Sequence, residues 1–84
     1  MYHIYVLLSL KDKTLYKGIT NNLSRRIRQH NDGKCQSTIH RRPLKLVYHE
    51  TASNQNVARE REKYLKSGSG REFLRELINY LAAS

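Results

Sequence analysis

The 84-residue sequence has a single cysteine, Cys35, and only 7 acidic residues. One cysteine excludes an intrachain disulfide and a cysteine-rich metal site, so Cys35 is expected to be an inert loop thiol. The longest apolar run, Ile4 to Leu8, is too short to cross a bilayer and lacks the flanks of a signal peptide. These absences predict a soluble, cytoplasmic protein with a small hydrophobic core.

The charge that is present is positive. Lysine and arginine number 16, which gives a formal net charge of +9. Such an excess favours polyanionic ligands, because the release of counterions from phosphates drives binding that does not depend on sequence. Nucleic acid is therefore the first candidate, ahead of an anionic membrane surface. A basic adaptor that docks on an acidic protein is a weaker third possibility.

The length suits one domain, residues 1–84. Alternating hydrophobicity predicts strands over 2–9, 14–20 and 44–50, and helical periodicity predicts helices over about 22–32, 53–66 and from 69 onward. The resulting β-β-α-β-α-α order predicts an α/β (α+β) fold with a small three-stranded antiparallel sheet flanked by helices. A polar, basic loop is expected over 34–43.

The first predicted helix carries clear boundary signals. Asn21 or Asn22 is a natural N-cap, and Gly33 is in the position of a C-cap glycine. Among the arginines of this helix, Arg26 is adjacent to Ile27 and is expected to border the buried side.

The second and third helices are predicted from caps and apolar faces. Ser53 is expected to cap the second helix, Gly68 to end it, and Ser69 to open a capping box for the third. The residues expected on the two apolar faces are Val57, Ala58, Tyr64, Leu65, Phe73, Leu74, Leu77, Ile78 and Leu81.

The apolar residues of the first two strands predict their pairing. Their apolar faces coincide if Ile4 lies opposite Ile19 and Leu8 opposite Leu15. Because side chains alternate along a strand, Lys17 then turns toward the buried face, which requires the sheet to be partly open there. The same register brings three residues together on the opposite face: Tyr5, Tyr16 and Gly18.

The motifs around these tyrosines resemble those of the GIY-YIG nuclease family. The matching segments are His3-Ile4-Tyr5, Tyr16-Lys17-Gly18, the helix from Asn22 through Arg26 to His30, and Ala58 to Glu62. The resemblance covers roughly residues 2–75. It looks most like the small stand-alone branch, whose helix ends in His-Asn-x-Gly and is followed by an Arg-Pro-Leu-Lys-Leu-Val-Tyr strand.

The resemblance implies roles for both tyrosines. Tyr16 would be the general base, or the residue that positions the attacking water, and Tyr5 would hydrogen-bond beside it. A phenol with an unperturbed pKa near 10 is a poor base at neutral pH. The candidates for favouring its phenolate form are the bound metal, Lys17 and Tyr5.

The resemblance also implies the remaining catalytic groups. Arg26 would hold the scissile phosphate, and His30 would brace the phosphate and the nucleophile. Glu62 corresponds to the single carboxylate that binds one divalent ion, Mg²⁺ or Mn²⁺. Phosphodiester hydrolysis needs an activated water, a cation on the non-bridging oxygens and help for the departing alkoxide, which these groups would supply.

Further residues near this site are expected to contact the nucleic-acid backbone: Lys17, Gly18, Arg25, Arg28, Lys34, Arg41 and Arg42. The sequence is thus interpreted as a metal-dependent endonuclease acting on DNA, with RNA left open, a role in DNA repair or recombination, and room for a protein partner that targets it. The alternative is a nucleic-acid-binding module on the same scaffold with little or no cleavage, since a fold does not guarantee an activity.

Overall fold

The computed structural model describes residues 1–83. Its elements are β1 (Tyr2–Ser9), β2 (Leu15–Thr20), α1 (Leu23–Asn31), a 3₁₀ turn (Ile39–Arg41), β3 (Leu44–Ala52), α2 (Gln55–Lys66) and α3 (Gly68–Ala83). The three strands form one antiparallel sheet in the order β2-β1-β3. The predicted α+β fold and element order are confirmed. Within residues 1–83, none of the helices is long and apolar enough to span a membrane.

The pairing of β1 with β2 follows the apolar residues. Ile4 lies opposite Ile19 and Leu8 opposite Leu15, as predicted. On its other side β1 pairs with β3, with an irregularity between Val6 and Leu7. Because β1 is central, most of its side chains are buried on both faces of the sheet.

Each face of the sheet has its own hydrophobic core. On one face the buried residues are Ile4, Val6 and Ala52 from the strands with Ala58, Leu65 and Leu74 from α2 and α3. On the other face they are Tyr5, Leu7 and Leu44, with Leu23 and Ile27 of α1 packed against them. The sheet therefore separates α1 from α2 and α3, and Tyr5 lies on the α1 side.

The ends of α1 agree with the sequence signals. Asn22 is the N-cap, and its side-chain oxygen accepts a hydrogen bond from the Arg25 N–H at 3.1 Å. Gly33 follows the helix with φ of +80°, a conformation that favours glycine. The loop that comes next is not wholly irregular, because Ile39–Arg41 forms a 3₁₀ turn.

The predicted start of α2 was wrong by one residue. Asn54, not Ser53, is the N-cap, and its side-chain oxygen accepts from the Val57 N–H at 2.9 Å. The cause is that β3 continues to Ala52, two residues beyond the predicted Glu50. Because the strand is longer, the turn and the helix N-cap lie later in the sequence than predicted.

The predicted junction of α2 and α3 was also wrong. Gly68 does not end α2 but begins α3, and only Ser67 separates the two helices. The Ser67 hydroxyl accepts from the Gly70 N–H at 3.3 Å, so Ser67 takes the capping role predicted for Ser69. Gly70 is buried against the backbone of Tyr64, which lets the two helices meet this closely.

The apolar faces of α2 and α3 are narrower than predicted. Ala58, Leu65 and Leu74 are fully buried, and Leu77 and Ile78 are half-buried. Three residues expected on these faces are instead exposed: Val57 at 41%, Tyr64 at 38% and Phe73 at 39%. The side chain of Leu81 lies outside the part of the chain whose side chains are described.

A partly exposed ion pair ties α2 to β3. The Arg61 guanidinium donates to both carboxylate oxygens of Glu50, at 2.5 and 3.2 Å, and the Tyr48 hydroxyl donates to the same carboxylate. The hydrogen bond from Arg61 lowers the pKa of Glu50, whereas burial and the neighbouring carboxylate raise the pKa of Tyr48. The pair links α2 to β3, one of the two edge strands of the sheet.

The close approach at Gly70 gives a test of the α2 and α3 junction. A Cβ atom at position 70 would lie 2.0 Å from the Tyr64 carbonyl oxygen, whereas a Cβ at Gly68 would meet nothing within 4 Å. We expect Gly70→Ala to lower the free energy of unfolding by about 1–3 kcal/mol. Gly68→Ala should change it by less than about 1 kcal/mol. Urea unfolding of both variants measures the difference, and equal effects would contradict the packing described.

Candidate active site

Four of the predicted catalytic residues come together on the sheet face that α1 covers. The ring centroids of Tyr5 and Tyr16, from neighbouring strands, are 6.3 Å apart. The His30 ring, from the end of α1, lies 5.7 Å from the Tyr5 ring and 5.1 Å from the Tyr16 ring. The Arg26 Nε atom is 3.4 Å from the Tyr5 hydroxyl oxygen. These four residues are called the tyrosine cluster below.

The hydrogen bonds of the cluster run in one direction. Arginine only donates, so the Tyr5 oxygen accepts from Arg26 Nε. In the tautomer that gives each proton an acceptor, the Tyr5 O–H donates to His30 Nε2, 2.9 Å away, and the ring proton is on Nδ1. Nδ1–H donates to the Thr38 hydroxyl oxygen at 2.7 Å, and that hydroxyl donates to the Cys35 carbonyl at 3.5 Å. Every proton in this series of hydrogen bonds has one acceptor.

The protonation states of the buried members agree with this order. Tyr5 is 1% exposed and His30 is fully buried. Burial raises the pKa of Tyr5, and the hydrogen bond from Arg26 only partly opposes it. Burial, then the Arg26 charge, lowers the pKa of His30. Tyr5 therefore remains a phenol and His30 a neutral imidazole. Both are buried beneath the protein surface, so neither is exposed to a ligand.

Gly18 is required by the position of the Tyr5 ring. It lies opposite Tyr5 in the sheet and is buried. A Cβ at this position would be 2.5 Å from both the hydroxyl oxygen and Cζ of Tyr5. Gly18 was predicted to contact nucleic acid, but in the structure it is buried against the Tyr5 ring. It leaves the space that the Tyr5 phenol occupies between Arg26 and His30.

Tyr16 is the member of the cluster whose hydroxyl is open. Its side chain is half-buried, packed beside Tyr5 and Leu7. Its oxygen has no hydrogen-bond partner within residues 1–83 and is not enclosed. A phenol so placed is available to water or to a ligand, in contrast to the phenol of Tyr5.

Arg26 connects the buried cluster to the surface. It is half-buried, as predicted, while Arg25 is exposed. Its Nη1 atom donates to the Gln29 side chain at 3.3 Å, and its Nη2 atom has no partner in the described part of the chain. Arg25, Arg26 and Gln29 line a hollow of about 320 Å³ beside Thr20. Tyr5 and Gln29 thus orient one guanidinium toward a surface hollow.

The other basic residues predicted to contact nucleic acid are dispersed. Arg28, Lys34 and Arg42 are exposed. The Arg41 guanidinium donates to the Thr14 hydroxyl and to the Leu15 carbonyl, so its donors tie the 34–43 loop to the start of β2.

Lys17 lies on the sheet face opposite the tyrosine cluster. It pairs with Val6, whose side chain belongs to the core under α2 and α3. The suggestion that Lys17 favours the phenolate of Tyr16 is therefore wrong, because alternation directs the two side chains to opposite faces. The predicted opening of the sheet at Lys17 is present as a cleft of about 870 Å³.

Glu62 is separate from the tyrosine cluster. It lies on α2 between the buried Ala58 and Leu65, and its carboxylate is 3.5 Å from the Lys66 ammonium. Its side chain is 24% exposed. Within residues 1–83 no group of three or more His, Cys, Asp or Glu side chains could enclose a metal ion. A divalent ion would therefore depend on this one carboxylate, water and ligand oxygens.

Two residues of the site were missed by the sequence analysis. Thr38 is fully buried and holds His30 Nδ1, and Gln29 holds Arg26. Gln29 is three residues after Arg26 on one helix, a spacing that predicts contact. Thr38 gives no such signal, because it reaches His30 only through the path of an irregular loop.

Comparison with known proteins agrees with this geometry. The family model described as the GIY-YIG catalytic domain matches residues 1–75. The chain belongs to the GIY-YIG family. The matched range contains the whole tyrosine cluster and Glu62, and it corresponds to the extent of the resemblance noted in the sequence. The domain is of a nuclease type.

Individual relatives carry the name UPF0213 protein. One from Clostridium perfringens is 46% identical over 67 residues, covering 79% of this chain and 71% of its own. One from Pediococcus acidilactici is 40% identical over 81 residues, covering 93% and 82%. The solution NMR structure of a UPF0213 protein from Bacillus halodurans has a TM-score of 0.53 and 32% identity, covering 92% of this chain and 85% of that one. It supports the fold described here.

The buried His30 predicts how stability depends on pH. Its folded pKa lies below the unfolded value near 6.5, so the unfolded chain takes up the proton first. The stability that depends on neutral His30 is complete above about pH 6.5 and is lost as pH falls through the folded pKa. One proton gives a slope of at most about 1.4 kcal/mol per pH unit.

Urea unfolding between pH 5 and 8 measures this slope. We expect His30→Gln to be less stable at pH 7.5 but to have a weaker pH dependence than the wild type. His40→Gln is the control, because His40 is exposed and lies outside the tyrosine cluster. An unchanged pH dependence in His30→Gln would contradict the assigned neutral state.

Proposed function

We propose that this GIY-YIG domain is a metal-dependent endonuclease that hydrolyses phosphodiester bonds in DNA. The proposal rests on two groups that lie on one face of the sheet. The first is the Arg26 guanidinium, which is hydrogen-bonded to the buried Tyr5 phenol, and the second is the Tyr16 phenol, whose hydroxyl is open. The chain that carries them has a net charge of +9. A role in DNA repair or recombination stays a prediction.

Arg26 is the group proposed to bind the scissile phosphate. Two of its nitrogens are held by Tyr5 and Gln29, and its Nη2 atom has no partner within residues 1–83. Fixing an arginine in advance lowers the entropy lost when it binds an oxyanion. The charge is then oriented toward phosphate oxygens before the substrate arrives, which is the condition for strong transition-state stabilisation.

Tyr16 is proposed to position or deprotonate the attacking water. Tyr5 does not suit this role, because its hydroxyl is buried and its proton is donated to His30. Tyr5, His30 and Thr38 are instead proposed as positioning residues. They hold the Arg26 guanidinium in place and form the surface against which Tyr16 packs. The Tyr16 hydroxyl has no hydrogen-bond partner within residues 1–83, so it is free to bond to the attacking water, as a general base must.

Glu62 is proposed to hold the divalent cation. Magnesium is commonly bound by one or two carboxylates together with water and substrate phosphates, so a single partly exposed carboxylate fits its donor set. When bound, the cation offsets negative charge on the phosphate oxygens. The neighbouring Lys66 ammonium lies 3.5 Å from the Glu62 carboxylate.

The Arg26 assignment is tested against its neighbour. Cleavage of supercoiled, branched and single-stranded DNA is measured with and without Mg²⁺ or Mn²⁺. We expect Arg26→Ala to lower the single-turnover rate by about 10²–10³, the usual loss for one transition-state contact. Arg25→Ala, an exposed neighbour, should affect the rate by much less, and both should bind DNA similarly. Equal small losses would show that both are solvated surface arginines.

The metal assignment is tested on α2. We expect Glu62→Gln to abolish metal-dependent cleavage while the melting temperature and DNA affinity remain nearly unchanged, because the two side chains are almost isosteric. Glu60→Gln removes the same charge from an exposed site on the same helix and should cleave like the wild type. Full activity in Glu62→Gln would exclude Glu62 as the ligand.

The cleavage assay also separates the two functions considered. Salt-sensitive DNA binding with metal-dependent cleavage supports the nuclease. Binding without cleavage of any nucleic acid by any divalent metal would instead support a nucleic-acid-binding module on this scaffold.

A further inference from the structure

A second charged feature lies on the sheet face away from α1. A cleft of about 870 Å³ runs between β2 and the paired helices α2 and α3. Its basic lining residues are Lys13, Lys17, Lys66, Arg71 and Arg75. Four of these were not among the residues that the sequence predicted to bind nucleic acid. They converge only because the α2 and α3 junction folds the start of α3 back toward β2.

The positive charge of the cleft is largely uncompensated. Lys66 pairs with Glu62 at 3.5 Å, but Lys13, Lys17, Arg71 and Arg75 have no carboxylate partner within residues 1–83. Burial lowers the pKa of Lys17, and the charges of Arg71, Lys66 and Arg41 lower it further. Lys17 is half-buried and the other four are exposed. Cations held together against mutual repulsion are stabilised when an anion binds.

The floor of the cleft is apolar. Half-buried Leu8, Leu15 and Ile78 line it, while Tyr16 borders it from the edge strand with its ring on the α1 face of the sheet. An apolar floor beneath a cationic rim matches the two parts of an unpaired nucleotide, whose base packs on the floor while its phosphate contacts the rim. A base within a duplex is covered by its stacked neighbours and its pairing partner, so it is not available for such packing.

The cleft is joined to the tyrosine cluster. Tyr16 lines it, and the Glu62 carboxylate contacts Lys66 at its edge. The hollow beside Arg25 and Arg26 borders the other end of β2 through Ile19 and Thr20. Because β2 is an edge strand, a single extended ligand could follow it from the cleft to the hollow beside Arg25 and Arg26.

We propose that this cleft binds unpaired nucleotides that flank the scissile phosphate, so that the domain acts on DNA with a single-stranded segment. The proposal deepens the proposed function and rests on it for the choice of DNA as the ligand. A second copy of this chain is not a suitable occupant, because it carries the same excess of positive charge. An acidic polypeptide is the competing occupant and is included in the test.

The test compares two double variants that remove equal charge. Arg71→Gln/Arg75→Gln alters the cleft, and Arg59→Gln/Lys63→Gln alters two exposed residues of α2 that do not line it. Fluorescence anisotropy measures binding to a single-stranded oligonucleotide, to the duplex of the same sequence and to poly-glutamate, at several salt concentrations and with a chelator present. Melting temperatures establish that each variant is folded.

We expect the cleft variant to lower the slope of log affinity against log salt by about 1.4 for the single strand, at about 0.7 for each lost phosphate contact. The duplex and the control variant should show smaller changes. Equal effects of both variants, or equal effects on single strand and duplex, would overturn the proposal. A loss confined to poly-glutamate would overturn it in favour of an acidic partner.

Two further measurements keep this result separate from the proposed function. Amide shifts of Lys17, Arg71 and Arg75 in the unaltered protein should move on titration with the oligonucleotide, and their constancy would overturn the proposal even if a variant fails to fold. If the wild type binds a single strand through the cleft but never cleaves, the nuclease assignment fails and the cleft assignment stands. If it cleaves and the cleft variant matches it in binding and rate, only the cleft assignment fails.

Discussion

The hydrogen bond from Arg26 to the buried Tyr5 hydroxyl is the interaction on which the site depends. A phenol inside the core of a small domain needs partners for both its proton and its oxygen, because an unpaired buried hydroxyl costs about 1–3 kcal/mol. His30 accepts the proton, and Arg26 donates to the oxygen. Satisfying the core therefore also fixes a surface guanidinium. Stability and the proposed chemistry share the same atoms.

This arrangement explains the unequal surroundings of the two tyrosines. Tyr5 comes from the central strand and is enclosed on all sides, while Tyr16 comes from the edge strand and keeps an open hydroxyl. Gly18 leaves room for the Tyr5 phenol, which a Cβ atom at this position would clash with. A difference in strand position thus separates the positioning role proposed for Tyr5 from the surface role proposed for Tyr16.

The edge strand β2 also relates the two faces of the sheet. Its alternating side chains send Tyr16 toward α1 and Lys17 toward α2 and α3. The cluster proposed for chemistry and the cleft proposed for binding unpaired nucleotides therefore lie on opposite faces but adjoin along one strand. A ligand that follows this edge strand would meet both.

The sequence by itself determined the strand register, α1 with its Asn22 and Gly33 signals, and the shared face of Tyr5, Tyr16 and Gly18, because these follow from alternation and from local backbone preferences. It did not determine what long-range packing decides. The cap of α3 moved to Ser67, because two helices had to meet at Gly70.

Only the tertiary structure brought Thr38 beneath His30, since an irregular loop has no periodicity that predicts where its side chains lie. Only the tertiary structure brought Arg71 and Arg75 beside Lys17, more than fifty residues away in the chain. Local patterns identify which residues share a face, but the distances between distant segments depend on how whole elements pack.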